Sequence, residues 1–451
     1  MNRERLVVIG GDAAGMSAAA TARRKRQDLD ILVFEKGPYT SYSACGIPYY
    51  IGYVVQDFSS LIVRTPEQFK DDYAIDARIH HEVVEIDPKE RRVRVSDRNS
   101  SKSSWEAYDQ LLIATGAKAF CPAVPGSDAK GIYGVSTLQS GALVRQVIEE
   151  IKPKRAVVVG GGYIGLEMAE ALVRRAIDVT LVQKSPQVMD TLDPDMGALV
   201  SDALREVGVT LYLNEALAGF EVGQGQITAV ATDKCTLPAD IVILGMGVRP
   251  NSELAEAAGV PLGVKKAIKV NSRLQTPVAG IWAAGDCAES FHRVSLQPYH
   301  IALGTVANKQ GRVAGINIGG DYATFPGVVG TAVSKICKYE VARTGLQEKE
   351  IKALGLEYVT ATIESKTRAG YYPGAGIITV KLLAEKVSGR LLGGQIVGLE
   401  GAAKRIDVLA TALHAGFTVQ DVIHLDLSYA PPYSPVWDPV QIAARQMVSK
   451  I

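Results

Sequence analysis

Leu6-Val7-Val8-Ile9-Gly10-Gly11-Asp12-Ala13-Ala14-Gly15 decides how this chain is read, because it recurs as Ala156-Val157-Val158-Val159-Gly160-Gly161-Gly162-Tyr163-Ile164-Gly165. Each copy is a β-branched run entering a glycine turn. Each continues into a helical stretch ending in basic residues, Arg23-Arg24-Lys25 or Arg174-Arg175, and then into a second apolar run, Ile31-Leu32-Val33-Phe34 or Val179-Thr180-Leu181-Val182. Strand, turn, helix, strand, twice over, predicts an α/β fold with two doubly wound parallel-sheet domains, since a parallel strand pair needs a crossover helix that covers the sheet.

A chain of 451 residues exceeds the range in which a single core keeps growing, so further division is expected. Residues 118 to 154 read as connection and the start of the second unit. After Asp240 the runs Ile241-Val242-Ile243-Leu244-Gly245 and Gly280-Ile281-Trp282-Ala283-Ala284-Gly285-Asp286 carry the chain back to the first. The expected division is 1–117 with 246–327, then 118–245, then an α+β unit over 328–451, where the pattern changes to strands and turns with a terminal helix.

Lys and Arg total 49 against 48 Asp and Glu, a net charge of +1 without a long block of one sign, which gives no reason to expect a nucleic-acid or anionic-membrane partner. The apolar run after Arg5 is too short for a signal-peptide core, and no stretch approaches the roughly 20 apolar residues of a membrane span. A cytoplasmic location is expected. The five cysteines, Cys45, Cys121, Cys235, Cys287 and Cys337, are far apart and form no Cys-x-x-Cys pair, so free thiols in a reducing compartment fit. A special cysteine must therefore act alone or with a thiol from outside the chain.

A glycine turn opening a helix suits a pyrophosphate, because bare backbone can approach the ligand while free amides and the helix dipole supply positive potential. Two such turns in matching contexts point to two dinucleotides. At the first, Glu35 closes the second strand, where a carboxylate can bond a ribose diol. Asp12 replaces the second glycine of the ideal pattern, so its side chain must turn away from the phosphates. At the second, Gly160, Gly162 and Gly165 are all present, but the strand ends on Gln183-Lys184. With no carboxylate at the strand end to repel a 2′-phosphate, NADPH is expected to be accepted as well as NADH, with Lys184 as phosphate partner.

The ordered set Gly10 to Gly15, Glu35-Lys36, Ala114-Thr115-Gly116, Gly160 to Gly165 and Ala284-Gly285-Asp286 resembles the two-dinucleotide flavoprotein disulfide reductases along the whole chain. The resemblance implies FAD at the first site, through Gly10, Asp12, Ala14, Gly15, Glu35, Lys36, the Val83 backbone, Ala114, Thr115, Gly116, Asp286, Leu303 and Gly304. It implies NAD(P)H at the second, through Gly160, Gly162, Tyr163, Ile164, Gly165, Gln183, Lys184 and Gly247. Ser41-Tyr42-Ser43-Ala44-Cys45-Gly46-Ile47-Pro48 resembles the single-cysteine branch, which includes coenzyme A disulfide reductases, polysulfide or persulfide reductases, and NADH oxidases and peroxidases. The implied coenzyme A contacts are Ser17, Thr21, Arg24, Ser41 and Asn308. Tyr73 and Trp437 occupy two places where some members carry lysine.

A thiolate at Cys45 can attack an external disulfide to form a mixed disulfide, and lowering its pKa calls for a helix N-terminus or nearby donors. The C-terminal stretch Asp426-Leu427-Ser428-Tyr429-Ala430-Pro431-Pro432-Tyr433 lacks the His-Glu dyad of glutathione-reductase-like members. By resemblance, Tyr371 and Tyr429 reach the partner subunit's active site instead, where a phenol can exchange a proton with a leaving sulfur. That implies a homodimer. Reduction of coenzyme A disulfide, with coenzyme A held covalently on Cys45, is the leading reading. Polysulfide or persulfide reduction, oxygen or peroxide turnover through a Cys45 sulfenic acid, and a flavin-bearing redox sensor are the alternatives.

Overall fold

A computed structural model describes residues 3–451. The duplicated stretches are the central strands of two five-stranded parallel sheets. In the first, Arg5–Ile9 lies between Gln110–Ile113 and Asp30–Phe34, with Ile281–Ala283 and Asp76–Arg78 at the edges. In the second, Arg155–Val159 lies between Ile241–Leu244 and Asp178–Gln183, flanked by Ile132–Gly134 and Thr210–Leu213. The registers repeat: Val8 sits opposite Val33 and Leu112, Val158 opposite Leu181 and Ile243. These strands are buried on both faces, which is why they read as unbroken apolar runs rather than alternating ones. Each parallel sheet is accompanied by a three-stranded antiparallel sheet, over residues 81–107 and 217–238.

The outgoing and returning chains are laced where the first sheet hands over to the second. Ala117–Ala119 pairs antiparallel with Val248–Pro250, and Asn251 Nδ2 donates to the Thr115 carbonyl at 2.9 Å.

The alanines of helix Ala13–Lys25 have a packing purpose. The helix crosses Gly304–Ile318 so closely that a Cβ on Gly311 would run into the Ala14 carbonyl, and one on Gly315 into that of Ala18. Small side chains on both helices permit this approach. The crossing brings the start of the second helix to the first glycine turn.

Beyond residue 330 the chain forms one antiparallel sheet, ordered Ala332–Ile336, Tyr339–Gly345, Leu391–Gly398, Ile377–Glu385, Tyr358–Lys366. Helices Ile406–Ala415, Val419–Ile423 and Pro439–Met447 pack against it. Among the described residues, no helix is long and apolar enough to cross a membrane.

Candidate active site

The first glycine turn is bare because it must be. Gly10 holds φ at +108°, where a Cβ would strike the Ala114 carbonyl, and a Cβ on Gly15 would strike the Gly10 carbonyl. Ala14 is buried against the crossing helix. The Glu35 carboxylate accepts from the Gly11 amide at 2.8 Å and from Gly37 at 2.7 Å, while Lys36 beside it points to solvent. Asp12 turns to the Tyr42 amide, 3.1 Å away, and burial lifts its pKa to about 6. Burial likewise lifts Asp286 to about 6. Gly116 (φ +67°) and Gly304 face open space, and the helix from Gly304 starts with no side-chain cap, leaving its first amides to a ligand. Val83 sits where the edge of its strand bulges. A cradle of this kind fits an elongated diphosphate nucleotide.

The second turn repeats the arrangement. Gly160 has φ +104° and abuts the Gly245 carbonyl, and Gly165 is pressed on Gly160. Gly162 and Gly247 are exposed, with space where a side chain would stand. Tyr163 and Ile164 open the following helix, half-buried. The Gln183 side-chain oxygen accepts from the Gly161 amide at 2.8 Å, as Glu35 does from Gly11. Lys184 is exposed. The strand does end on Gln183 without a carboxylate, but the next loop brings one alongside: Asp190 accepts from Gln183 Nε2 at 3.0 Å and lines the cleft with Gly160, Gly161, Gly162, Thr191, Gly245 and Gly247.

Cys45 lies in the short turn Ala44–Gly46, just before helix Ile47–Ile51. The residue is solvent-exposed, yet the surrounding chain still partly desolvates the sulfur. Burial pushes its pKa up, and the carboxylates of Glu167, Asp286 and Asp12 push it further. The lowering expected from the helix start is not supplied by the chain's own groups, because the following helix is a single turn and the facing charges are acidic. Glu167, missed in the sequence, is itself raised by burial and accepts from Ser334 Oγ at 2.9 Å. The five cysteines are free; Cys287 is buried under the first sheet and bonds the Ile113 and Ala284 carbonyls.

Tyr371 and Tyr429 are exposed, and the neighbouring Tyr429 phenol raises the pKa of Tyr371. Their loops are tied by Arg405, another residue the sequence did not flag. Its guanidinium donates to the Thr367 carbonyl at 2.6 Å, the Tyr433 carbonyl at 2.7 Å and Asp438 at 2.9 Å. Ala369 N adds a bond to the Pro431 carbonyl.

The residues assigned to coenzyme A are only partly brought together. Ser17 Oγ donates to Asn308 at 2.7 Å across the helix crossing, whereas Thr21 is buried there against Gly315. Ser41 takes a left-handed conformation (φ +46°) with its amide on the Gly11 carbonyl. The basic helix end is largely used by the chain itself. Arg23 is buried and donates to the carbonyls of Gln27, Tyr73 and Ala74, and Lys25 pairs with Asp321 at 2.7 Å. Arg24 remains exposed, joined by Arg64, the two guanidiniums lying 5.4 and 5.0 Å from the centre of the Tyr73 ring.

Comparison with known proteins agrees with this geometry. The chain is 39% identical over 447 residues, 98% of each chain, to an NAD(P)H coenzyme A polysulfide/persulfide reductase of Pyrococcus horikoshii. It is 37% identical over 448 residues, 99% of each, to an NADH oxidase of Methanocaldococcus jannaschii. The crystal structure of reduced Bacillus anthracis CoADR-RHD superposes with a TM-score of 0.96 at 38% identity, covering 99% of this chain and 80% of that one. Residues 4–311 match the pyridine nucleotide-disulphide oxidoreductase model and residues 331–439 its dimerisation domain. The chain belongs to the pyridine nucleotide-disulphide oxidoreductase family, and is an FAD-dependent oxidoreductase fed by NAD(P)H.

Proposed function

We propose that the chain reduces coenzyme A disulfide, or the persulfide of coenzyme A, through a covalent adduct on Cys45. The observation that carries this is that Cys45 is exposed and free, as are the other four cysteines, so none is joined to it in a disulfide. The first glycine turn, Glu35 and Asp286 hold FAD, which when bound passes an electron pair from the nicotinamide nucleotide at the second turn to sulfur. Cys45 attacks one sulfur of the substrate disulfide. That S–S bond breaks, a Cys45–S–S–R bond forms, and the first thiol departs. Tyr371 and Tyr429, contributed by the partner protomer of a homodimer, give the departing thiolate its proton. Two electrons and a further proton then release the second thiol and restore Cys45. The sum is RSSR + NAD(P)H + H⁺ giving 2 RSH + NAD(P)⁺.

Arg24 and Arg64 around Tyr73 support a nucleotide-bearing thiol, since they set two guanidiniums side by side, Arg64 also 3.5 Å from Asp72, and Arg64 is extra to the sequence-assigned set. The division 1–117 with 246–327, 118–245 and 328–451 goes with this assignment. Intact mass before and after reduction tests it: an adduct of coenzyme A mass on Cys45, lost on reduction, is the expected result. Oxygen or peroxide turnover exceeding disulfide turnover by orders of magnitude would overturn it in favour of a sulfenic-acid cycle.

A further inference from the structure

The two glycine turns solve the same problem differently. At the first, one residue does everything: Glu35 accepts the turn amide at 2.8 Å and carries the charge that faces a ribose. At the second the roles are divided. Gln183 Oε1 accepts the Gly161 amide, and the other end of the amide, Nε2, donates to Asp190 Oδ2 at 3.0 Å. Ser185 Oγ donates to the same oxygen at 2.5 Å. Both bonds fall on Oδ2, which leaves Oδ1 for a ligand. Asp190 lines the cleft beside Gly160, Gly161 and Gly162.

This carboxylate is not a wandering surface charge. Met189 N donates to the Gly161 carbonyl at 2.7 Å, fixing the loop to the turn. From the other side, Gln347 Nε2 and Lys349 Nζ donate to the Asp190 carbonyl at 3.1 and 2.8 Å, and Arg343 to that of Thr191 at 2.9 Å. The C-terminal unit thus pins the main chain that presents the acid.

We infer that Asp190, held by Gln183 and Ser185, is the residue that selects an unphosphorylated adenosine ribose, making NADH the preferred donor. The inference rests on the reading that the second turn holds the nicotinamide cofactor. A carboxylate accepts from both ribose hydroxyls, whereas a 2′-phosphate offers only acceptors and like charge. Lys184 is the opposing cation; both side chains are exposed, but Asp190 is held by Gln183 and Ser185.

The test compares kcat/KM for NADH and NADPH in the wild type, Asp190→Asn, and Asp190→Asn with Lys184→Ala. Asparagine keeps the shape and loses the charge. Wild type should favour NADH at least tenfold. Asp190→Asn should shrink that ratio about tenfold, through a lower KM for NADPH, and adding Lys184→Ala should reverse the gain. Wild-type preference for NADPH, or a ratio that moves less than threefold, would overturn the assignment. Gly162→Val separates this from failure of the underlying reading. Its backbone is extended (φ −86°, ψ −176°) and an added Cβ would meet only the Gly245 carbonyl, 3.9 Å away, so the fold tolerates valine while the side chain fills the cleft. If both KM values rise in Gly162→Val but Asp190→Asn is silent, Asp190 alone is wrong. Unchanged KM values in Gly162→Val remove the nucleotide site and the Asp190 assignment with it.

Discussion

Replacing Lys381 by methionine should loosen the joint between the C-terminal sheet and the second nucleotide site. The ammonium is 4% exposed and lies 3.2 Å from Asp193, 2.8 Å from Asp195 and 2.7 Å from Glu348. Asp193 itself is 2% exposed. At an effective dielectric of about 20, a charge pair at the 3.2 Å of Lys381 and Asp193 is worth about 5 kcal/mol gross. Asp193 keeps its bonds from Gln395 Nε2 at 2.7 Å and the Glu348 amide at 2.9 Å, and Asp195 is nearly half exposed and adds little. The net loss therefore falls at the low end of that for a broken buried pair, about 3 kcal/mol. At about 2–4 °C per kcal/mol for a unit of this size, the first thermal transition should fall by roughly 6–12 °C.

The pH dependence gives the sharper check. Burial alone would lower the Lys381 pKa, but its bonds to Asp195 and Glu348 and the Asp193 charge outweigh it and hold the pKa above the ordinary lysine value. A base with a raised folded pKa stabilises fully below its unfolded pKa of about 10.4, so the wild-type contribution is flat from pH 6 to 9. Lys381→Met removes that contribution and leaves the buried Asp193 carboxylate without its cation at every pH in this window. The gap between variant and wild type should therefore stay level from pH 6 to 9, and Asp193→Asn in the methionine background should recover most of the loss. Differential scanning calorimetry reads both. A melting shift under 2 °C at pH 7.5, or a gap that changes markedly between pH 6 and 9, refutes the account.

Cys45→Ser should lose disulfide turnover by at least a thousandfold while NADH still bleaches the flavin absorbance at near wild-type rate in stopped flow; retained turnover would move the chemistry elsewhere. Tyr371→Phe and Tyr429→Phe should each lower kcat about 10²-fold with KM for the disulfide little changed, and the double variant should lose no more than the worse single one if the pair acts as a unit. Arg405→Met should lower kcat by about tenfold without touching flavin reduction, because it frees the two tyrosine loops from each other; an unaltered kcat means those loops hold themselves.

What the sequence made legible was whatever a local pattern encodes. Two apolar runs of the same period, each closed by a glycine turn, sufficed for both parallel sheets, because the turn's geometry excludes side chains whatever surrounds it. The lone cysteine was equally visible, since absence of a second thiol needs no structure to see. What could not be read was set by distance along the chain. Arg23 and Lys25 look like a basic helix end until Tyr73, Ala74 and Asp321, all remote in sequence, are found to consume them. Arg405 has no motif; it matters only because two loops meet at it.

Gln183 is the case where a local rule gave the right strand-end residue and not the charge that folding sets beside it. A strand-end amide in place of an acid implies a neutral ribose site only if that residue is the sole contributor. The amide has a second end, however, and folding presents it with Asp190 seven residues on, from a loop whose main chain is held by Gln347, Lys349 and Arg343, more than 150 residues away. The charge beside the second glycine turn is thus presented by a main chain that the C-terminal unit helps to hold. It follows that a change confined to that unit, such as Lys381→Met, should raise KM for the nicotinamide cofactor while leaving the thiol exchange at Cys45 alone. That coupling separates a clamp on the Asp190 loop from a joint that merely adds stability.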